Sequence, residues 1–468
     1  MAALESSSIL IIGAGFSGAM TAAHLLRTRA AKPVQVVLAN RGALSARGVA
    51  YGTRTPAHVL NVPAGRMSAF PDDEDHFLRF AQTHDYSITG GSFVPRALYG
   101  QYLEFVLAEA ERERAPGSEL ERRVGDVVDV TIGEDADHAE VLFADGECRR
   151  FDSVVLAIGN YPPADPRIEN LAALGAPGYI RDPWAPRAVE KVDLGEPVLL
   201  LGTGLTTLDV SLDLHQRGMR APMIALSRRG LLPLAHRPLT AAPSFAHRPP
   251  DIDAVVPTAL QYLRSVRRTV RQVASEGVDW REVVAALRPI TPELWARLPT
   301  VEQARFLRHL RPFWEVHRHR AAPLPHGMFL RLVSSGDLSV IAGRLNDLDP
   351  DATGFSARIM RRGSSEITRL HVGSVVNCTG PQSNILRLDE PLMRKLLQRG
   401  YVRADSLCHG LDTTEDLAVI DQNGGASRVL HYIGPLLRAR YWEATAVPEL
   451  RVHVARLTKY LARNLTAT

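Results

Sequence analysis

The stretch SILIIGAGFSG, Ser8–Gly18, decides the fold class. Ile9–Ile12 is an apolar run of strand length, and the residues from Ala19 to Arg27 carry a helical pattern. Between them stand Gly13, Gly15 and Gly18 at GxGxxG spacing, with Ala14, Phe16 and Ser17 filling the turn. In such a strand–turn–helix the first glycine makes the tight turn. The second lets a pyrophosphate approach the backbone, and the third lets the helix pack against the strand. The unpaired N–H groups of the helix and its dipole then face the phosphates. A second apolar run, Val34–Leu38, closes a βαβ unit, so a dinucleotide site is expected here rather than a bland glycine-rich turn.

The same pattern returns later. Pro197–Leu201 reads as a strand, Gly202, Gly204 and Thr207 give GxGxxT, and Thr206–His215 reads as a helix. The next strand, Met223–Leu226, runs into Ser227, Arg228 and Arg229. An acid at that place reads the ribose of NAD, whereas an arginine accommodates the 2′-phosphate of NADP. NADPH is therefore expected, against the alternative of an exposed basic turn.

Outside these units, Val124–Val130, Glu140–Phe143 and Arg149–Ala157 read as strands, with Asp145-Gly146 as a hairpin turn. The last of them ends SVVLAIGNYPP, placing Ala157 and Gly159 at the carboxyl edge of a sheet, beside a cofactor. Leu338–Gly380 repeats this order and ends SVVNCTGP, which reads as an internal repeat. Pro162–Gly195 is proline-rich and reads as a connection. Pro257–Arg320 has helical periodicity with arginines on the other faces. Near the end, Val429–Ile433 is a strand, Gly434-Pro435 a turn and Val447 the start of a helix. The expected fold is α/β, with two Rossmann-like dinucleotide-binding domains. Residues 1–165 and 371–468 form the first, and residues 190–370 form the second, inserted in the first and carrying a helical region at 250–325.

Composition narrows the function. The chain has 468 residues, 45% apolar, with a formal charge of +4. Lys32, Lys191, Lys395 and Lys459 are its only lysines, so the positive charge is almost all arginine, interleaved with acids. That suggests a coding bias, as in a GC-rich bacterial genome, and a solvated surface rather than a nucleic-acid partner. No apolar run is long enough to span a membrane and no signal peptide is evident. Cys148, Cys378 and Cys408 are too scattered for a disulfide framework or a dithiol redox centre, which fits the cytoplasm. His309, His317, His319 and His326 have no carboxylates at ligand spacing, and no metal is expected. Arg318, Arg320 or these histidines are instead expected to meet an anionic substrate or an NADPH phosphate. Two dinucleotide sites on one chain imply hydride transfer between a nicotinamide and a flavin, with FAD in the first site and NADPH in the second.

Three further stretches, GVAYGT…HVLNVPAGRMSAFPDD (from Gly48), WEVHRHRAAP (from Trp314) and YWEATAVPELR (from Tyr441), give the chain a resemblance to a bacterial FAD/NAD(P)-binding family. That family belongs to the two-dinucleotide-binding flavoproteins and is related to flavin-dependent N-monooxygenases, among them aspartate-oxidising nitrosuccinate formers. Arg96 precedes a helix and is expected either to pair with the FAD pyrophosphate or to be an ordinary surface arginine. The resemblance implies that Asn61, Ala64 and Met67 line the isoalloxazine. It places Trp442, Glu443 and Thr445 near the flavin ring, and Val127 and Gly434 complete the expected FAD contacts. It further implies an oxygenase in which a flavin C4a-hydroperoxide oxygenates a small amine or amino acid with O₂ and NADPH. Such chemistry is the cofactor's, so no catalytic side chain is assigned. A flavin reductase or dehydrogenase without oxygen transfer, and a non-catalytic FAD-binding protein, are the alternatives. Asn40 departs from the family pattern, standing where an acid usually holds the FAD ribose.

Overall fold

The structure is a computed structural model that describes residues 6–29, 32–42, 46–53, 55–237 and 247–464. The first unit comprises β1 (Ser7–Ile12), α1 (Phe16–Arg27), β2 (Val34–Asn40), α2 (Gly48–Tyr51), α3 (His76–His84), α4 (Arg96–Arg112) and β3 (Glu119–Val124). A meander follows, β4 (Val127–Ile132), β5 (Ala139–Phe143) and β6 (Cys148–Phe151), and then β7 (Ser153–Leu156). The second unit begins at β8 (Tyr179–Ile180), β9 (Val198–Leu201), α5 (Leu205–Gln216) and β10 (Met223–Ser227). Five helices come next: α6 (Ala259–Ser275), α7 (Trp280–Leu287), α8 (Thr291–Arg297), α9 (Thr300–His309) and α10 (Arg311–Arg318). The unit closes with α11 (Pro323–Ser335), β11 (Leu338–Pro350), β12 (Phe355–Arg361), β13 (Ile367–Val372) and β14 (Ser374–Asn377). The chain then returns through α12 (Pro391–Gln398), β15 (Ala418–Ile420), β16 (Ala426–Tyr432), α13 (Arg438–Tyr441) and α14 (Val447–Asn464).

The first sheet has the order β15-β16-β7-β1-β2-β3 and the second β13-β12-β11-β10-β9-β14-β8. Parallel pairing joins β7, β1, β2 and β3 in one, and β14, β9, β10 and β11 in the other. Each parallel core is buried on both faces, which is why Ile9–Ile12 and Val198–Leu201 are continuous apolar runs. β16 pairs in parallel with β7, so the C-terminal segment completes the first sheet.

Three readings of the sequence change. The strand expected at Val124–Val130 is two strands, because β3 stays in the main sheet while β4 begins a separate three-stranded sheet. The strand expected at Arg149–Ala157 breaks at Asp152, whose carboxylate accepts the backbone N–H (2.7 Å) and the hydroxyl (3.0 Å) of Ser8. The Pro162–Gly195 stretch is more than a connection, since β8 pairs with β14 at the edge of the second sheet. Among the described residues, no helix is long and apolar enough to cross a membrane.

Candidate functional site

The two glycine turns have the same geometry. Gly13 and Gly202 have φ of 106° and 112°, a left-handed conformation that glycine adopts without strain. Their N–H groups donate to Ala39 and Leu226 at 2.8 and 2.7 Å. A Cβ on Gly13 would overlap the Ala157 carbonyl, and one on Gly202 would meet the Cys378 carbonyl, so β7 and β14 lie directly beside the turns. Gly15 and Gly204 are the N-caps of α1 and α5, neither helix has a side-chain cap, and neither has an acid in its first turn. A Cβ on Gly204 would meet nothing within 4 Å. Both helices therefore present uncapped N–H groups, as a pyrophosphate cradle requires. Gly159 has positive φ and open space around it at the carboxyl end of β7.

The third position differs. A Cβ on Gly18 would overlap the Gly13 carbonyl oxygen. Thr207 in the equivalent place donates its hydroxyl to the Gly202 carbonyl at 2.9 Å.

At the end of β2, the Asn40 side-chain oxygen accepts the Ala14 N–H (3.3 Å), and its amide donates to Gly42 (3.2 Å). Arg41 beside it is held by Asp126 (2.8 Å) and Glu390. At the end of β10, Ser227 shares a hydrogen bond with Thr203 (2.9 Å) and accepts the Gly230 N–H (3.0 Å). Arg228 is exposed, and the Arg229 guanidinium lies over the ring of Phe313 at 5.1 Å.

Each unit carries a long excursion between its second strand and its crossover helix: 41–95 before α4, and 228–322 before α11. The two excursions touch. The His236 Nε2–H donates to the Asn61 carbonyl (2.9 Å), and the His236 ring lies 5.1 Å from that of Phe93. Burial, with Arg320, Arg318 and Arg281 nearby, pushes His236 down to about 3, so the imidazole is neutral. The first excursion stays close to the glycine turn because Gly48 approaches Gly15 and Gly100 of α4 admits the Tyr51 carbonyl and the Arg47 side chain. Arg47 is anchored on Glu104 at 2.8 and 2.7 Å.

Two of the quoted stretches meet in a buried charge network. The Trp314 indole donates to Glu443 (2.9 Å), and Arg318 lies 3.1 Å from Glu443 and 3.4 Å from Glu449. Arg288 closes on Glu449 at 2.5 Å. Glu443 is 3% exposed, and the arginine and histidine charges around it hold its carboxyl below the ordinary range despite burial. The third stretch joins through Arg451, which donates to the Ser68 carbonyl (3.3 Å).

Several expected contacts stand elsewhere. The Arg96 guanidinium is paired with Asp209 of α5 (2.6 Å), an inter-unit contact, and not turned to the glycine loop. Met67 and Ala64 are packed in the core of the first unit, while Asn61 is half-buried and Thr445 exposed. Val127 is buried in the small meander sheet. Trp442 is stacked between Trp295 (5.1 Å) and His409 (5.4 Å), with φ of 58°. A positive φ on a bulky residue costs about 1–3 kcal/mol and marks a place the surroundings over-determine. Gly434, with φ of 149°, packs on Tyr432, whose hydroxyl accepts the Leu436 N–H (2.9 Å). The histidines disperse. His309 is exposed, His317 bonds Phe313 (2.7 Å), His319 is depressed by burial, and His326 bonds Pro233 (3.1 Å). Among the described residues, no group of three or more histidines, cysteines or acids is placed to hold a metal ion.

Sequence reasoning missed Gly48, Gly100, Asp209, His236, Arg288 and Glu449. Gly48, Asp209 and Glu449 lie inside stretches that had been singled out, so their polarity or lack of a side chain was a usable signal. His236, Gly100 and Arg288 carried none.

Residues 10–161 match the FAD-NAD(P)-binding family. Nitrosuccinic acid synthase npaA of Aspergillus oryzae (strain ATCC 42149 / RIB 40) is 31% identical over 158 residues, 29% of this chain and 24% of that protein. The match thus spans about a quarter of the relative's length. Ornithine N-hydroxylase KtzI of Kutzneria sp. 744 superposes with a TM-score of 0.65 at 13% identity, over 98% of this chain and 100% of that one. L-lysine 6-monooxygenase from Pseudomonas syringae gives 0.65 at 16% identity, over 98% and 99%. Residues 10–161 are FAD-NAD(P)-binding family sequence, and the chain as a whole has the α/β fold of the two-dinucleotide-binding flavin monooxygenases.

Proposed function

We propose that this chain is an FAD-dependent, NADPH-consuming monooxygenase that oxygenates the nitrogen of a small, negatively charged amine such as an amino acid. The observation that carries the reading is the pair of matched, uncapped glycine turns, of which the second faces a strand end with two arginines that pair with no carboxylate among the described residues. The Gly13–Gly18 turn would hold the FAD pyrophosphate, with Asn40 at the ribose and Asn61 and Thr445 toward the ring. Gly202–Thr207 would hold the NADPH pyrophosphate, with Ser227, Arg228 and Arg229 at the 2′-phosphate. FAD, when bound, supplies hydride acceptance and oxygen activation.

The chain's own residues would select the substrate and keep water out. His236 and Asn61 join the two excursions, and Arg320, which forms no ion pair among the described residues, would bring positive charge beside them, which favours an anionic ligand. The similarity to an ornithine N-hydroxylase, an L-lysine 6-monooxygenase and a nitrosuccinic acid synthase supports an amino-acid substrate. Cys148, Cys378 and Cys408 are scattered along the chain and form no CxxC pair, which argues against a dithiol reductase of that type.

The test is coupling. The FAD-loaded protein is reduced anaerobically with NADPH or NADH, then exposed to oxygen with a panel of amino acids. The expected result is flavin bleaching at least tenfold faster with NADPH, and N-oxygenated product in step with NADPH consumed for one acidic amino acid or its close kin. Failure of NADPH to bleach the flavin overturns the enzyme reading. Full recovery of the electrons as H₂O₂ with every amine makes the chain a flavin reductase instead.

A further inference from the structure

Arg438, at the start of α13, has a buried Nε with no hydrogen-bond partner among the described residues. The charges that face it are Arg311, Glu315 and Glu443. Both carboxylates are already engaged. Glu315 takes Arg311 (2.7 Å), and Glu443 takes the Trp314 indole (2.9 Å) and Arg318 (3.1 Å). Glu449, the next acid, is shared by Arg288 (2.5 Å) and Arg318 (3.4 Å). Arginines 288, 311, 318 and 438 thus share glutamates 315, 443 and 449, and Arg438 is the cation left over.

Two more polar groups beside Arg438 are also unsatisfied. Trp442 Nε1 and His409 Nε2 are buried with no partner, and the two residues are only 5% and 4% exposed. The His409 ring lies nearly parallel to the Trp442 ring at 5.4 Å, and the Arg438 Cζ is 5.5 Å from the same ring. Buried polar groups in native proteins are almost always paired, so three unmet nitrogens around one indole mark a missing acceptor. One unmatched cation in the same place says that the acceptor is negative.

We propose that Arg438, Trp442 and His409 form a binding site for one compact monoanion, a halide or the carboxylate of a small organic acid. Arg438 is flanked by Arg311, so a bound negative charge would relieve a repulsion that, with burial, holds its guanidinium down to about 10. A guanidinium fork accepts a carboxylate through two parallel hydrogen bonds, whereas a halide needs only N–H groups converging on a point. The Trp442 indole N–H would be a further donor, and so would His409 Nε2 in the tautomer that carries the proton there. The inference does not depend on the bound nucleotides or on oxygen transfer.

The test uses the FAD-loaded full chain in a buffer whose only anion is the bulky sulfonate MES. Sodium chloride and sodium acetate are titrated separately at constant ionic strength, with the thermal midpoint and tryptophan fluorescence as readouts. A saturable one-site response is expected, at least tenfold weaker in R438Q and unchanged in R264Q, a charge change on the exposed face of α6. Tighter acetate assigns the site to carboxylates, and tighter chloride assigns it to halides. If R438Q fails to fold, R438K answers the question, since it keeps the charge and loses the fork. A response at least threefold weaker in R438K supports the site. No saturable response to either anion in the wild type means that water alone fills the space and overturns the proposal. So does an R438Q variant that titrates like the wild type with either anion, or an R438K variant that titrates like the wild type with acetate.

Discussion

The two units are built to one plan and differ where the helix after the glycine turn packs on it and where the meander leaves the sheet. In the first unit, α1 lies so close to the turn that Gly18 has no room for a Cβ against the Gly13 carbonyl. In the second, the helix stands far enough away for Thr207 to fit and to bond the Gly202 carbonyl. The meanders differ in the same sense. β3 and β4 belong to separate sheets, whereas β11 runs unbroken through thirteen residues, pairing in parallel with β10 and then antiparallel with β12. The first unit grips its turn tightly and detaches its hairpin. The second loosens its turn and fuses its hairpin to the sheet.

Gly18→Ala tests that contrast most severely. The new methyl meets backbone rather than a flexible side chain, so the expected outcome is a loss above about 3 kcal/mol or failure to fold, read by thermal melts and FAD retention. An equal, mild effect of Gly18→Ala and Thr207→Ala would erase the difference between the turns. Next is Arg96→Ala, which removes the partner of buried Asp209 across the two units. Leaving a buried charge unpaired costs about 3–5 kcal/mol, so the melting temperature is expected to fall by several degrees or more. A drop of less than a degree would show that the units are not joined there.

Acid probes the first unit's C-terminal segment. His431 and His453, both packed in the first unit's C-terminal segment, are pushed down to about 4 by burial. In the unfolded chain they titrate near 6.5, so below that pH the unfolded state binds more protons. Stability is therefore full above pH 6.5 and declines as pH falls toward 4, by up to about 1.4 kcal/mol per pH unit for each histidine. Melts between pH 7 and 4.5 are expected to show this slope, reduced in His431→Asn. An unaltered slope in that variant would place the sensitivity elsewhere.

The strand ends give the next effect. Arg228→Ala with Arg229→Ala is expected to weaken NADPH about tenfold or more, roughly 1.4 kcal/mol, and to leave NADH within about twofold. Equal losses for both nucleotides would remove the 2′-phosphate reading. Smallest is Thr207→Ala, which deletes one hydrogen bond to a turn carbonyl and is expected to cost about 0.5–1.5 kcal/mol in a denaturant midpoint.

What the sequence disclosed follows from where the information is local. Ile9–Ile12 with its glycines, and Val198–Leu201 with its own, announce strand, turn and helix within a dozen residues, because period and φ requirements are local properties. The repeat of SVVLAIGNYPP in SVVNCTGP disclosed the topology for the same reason. Arg96 was legible only as a polar residue beside a helix. Its partner Asp209 is 113 positions away, and only the packing of α4 against α5 could assign it. Trp442 is a similar case. Trp442 and its neighbour Glu443 were both expected at the flavin ring, yet one is held in an aromatic stack and the other by an arginine pair.

The meeting of His236 with Asn61 has one more consequence. Each half of the scaffold carries its outgrowth at the same joint, between its second strand and its return helix, and the two outgrowths meet through His236 and Asn61. On the proposed reading, exchanging these outgrowths would change ligand choice while the strands and helices that flank the glycine turns stay as they are.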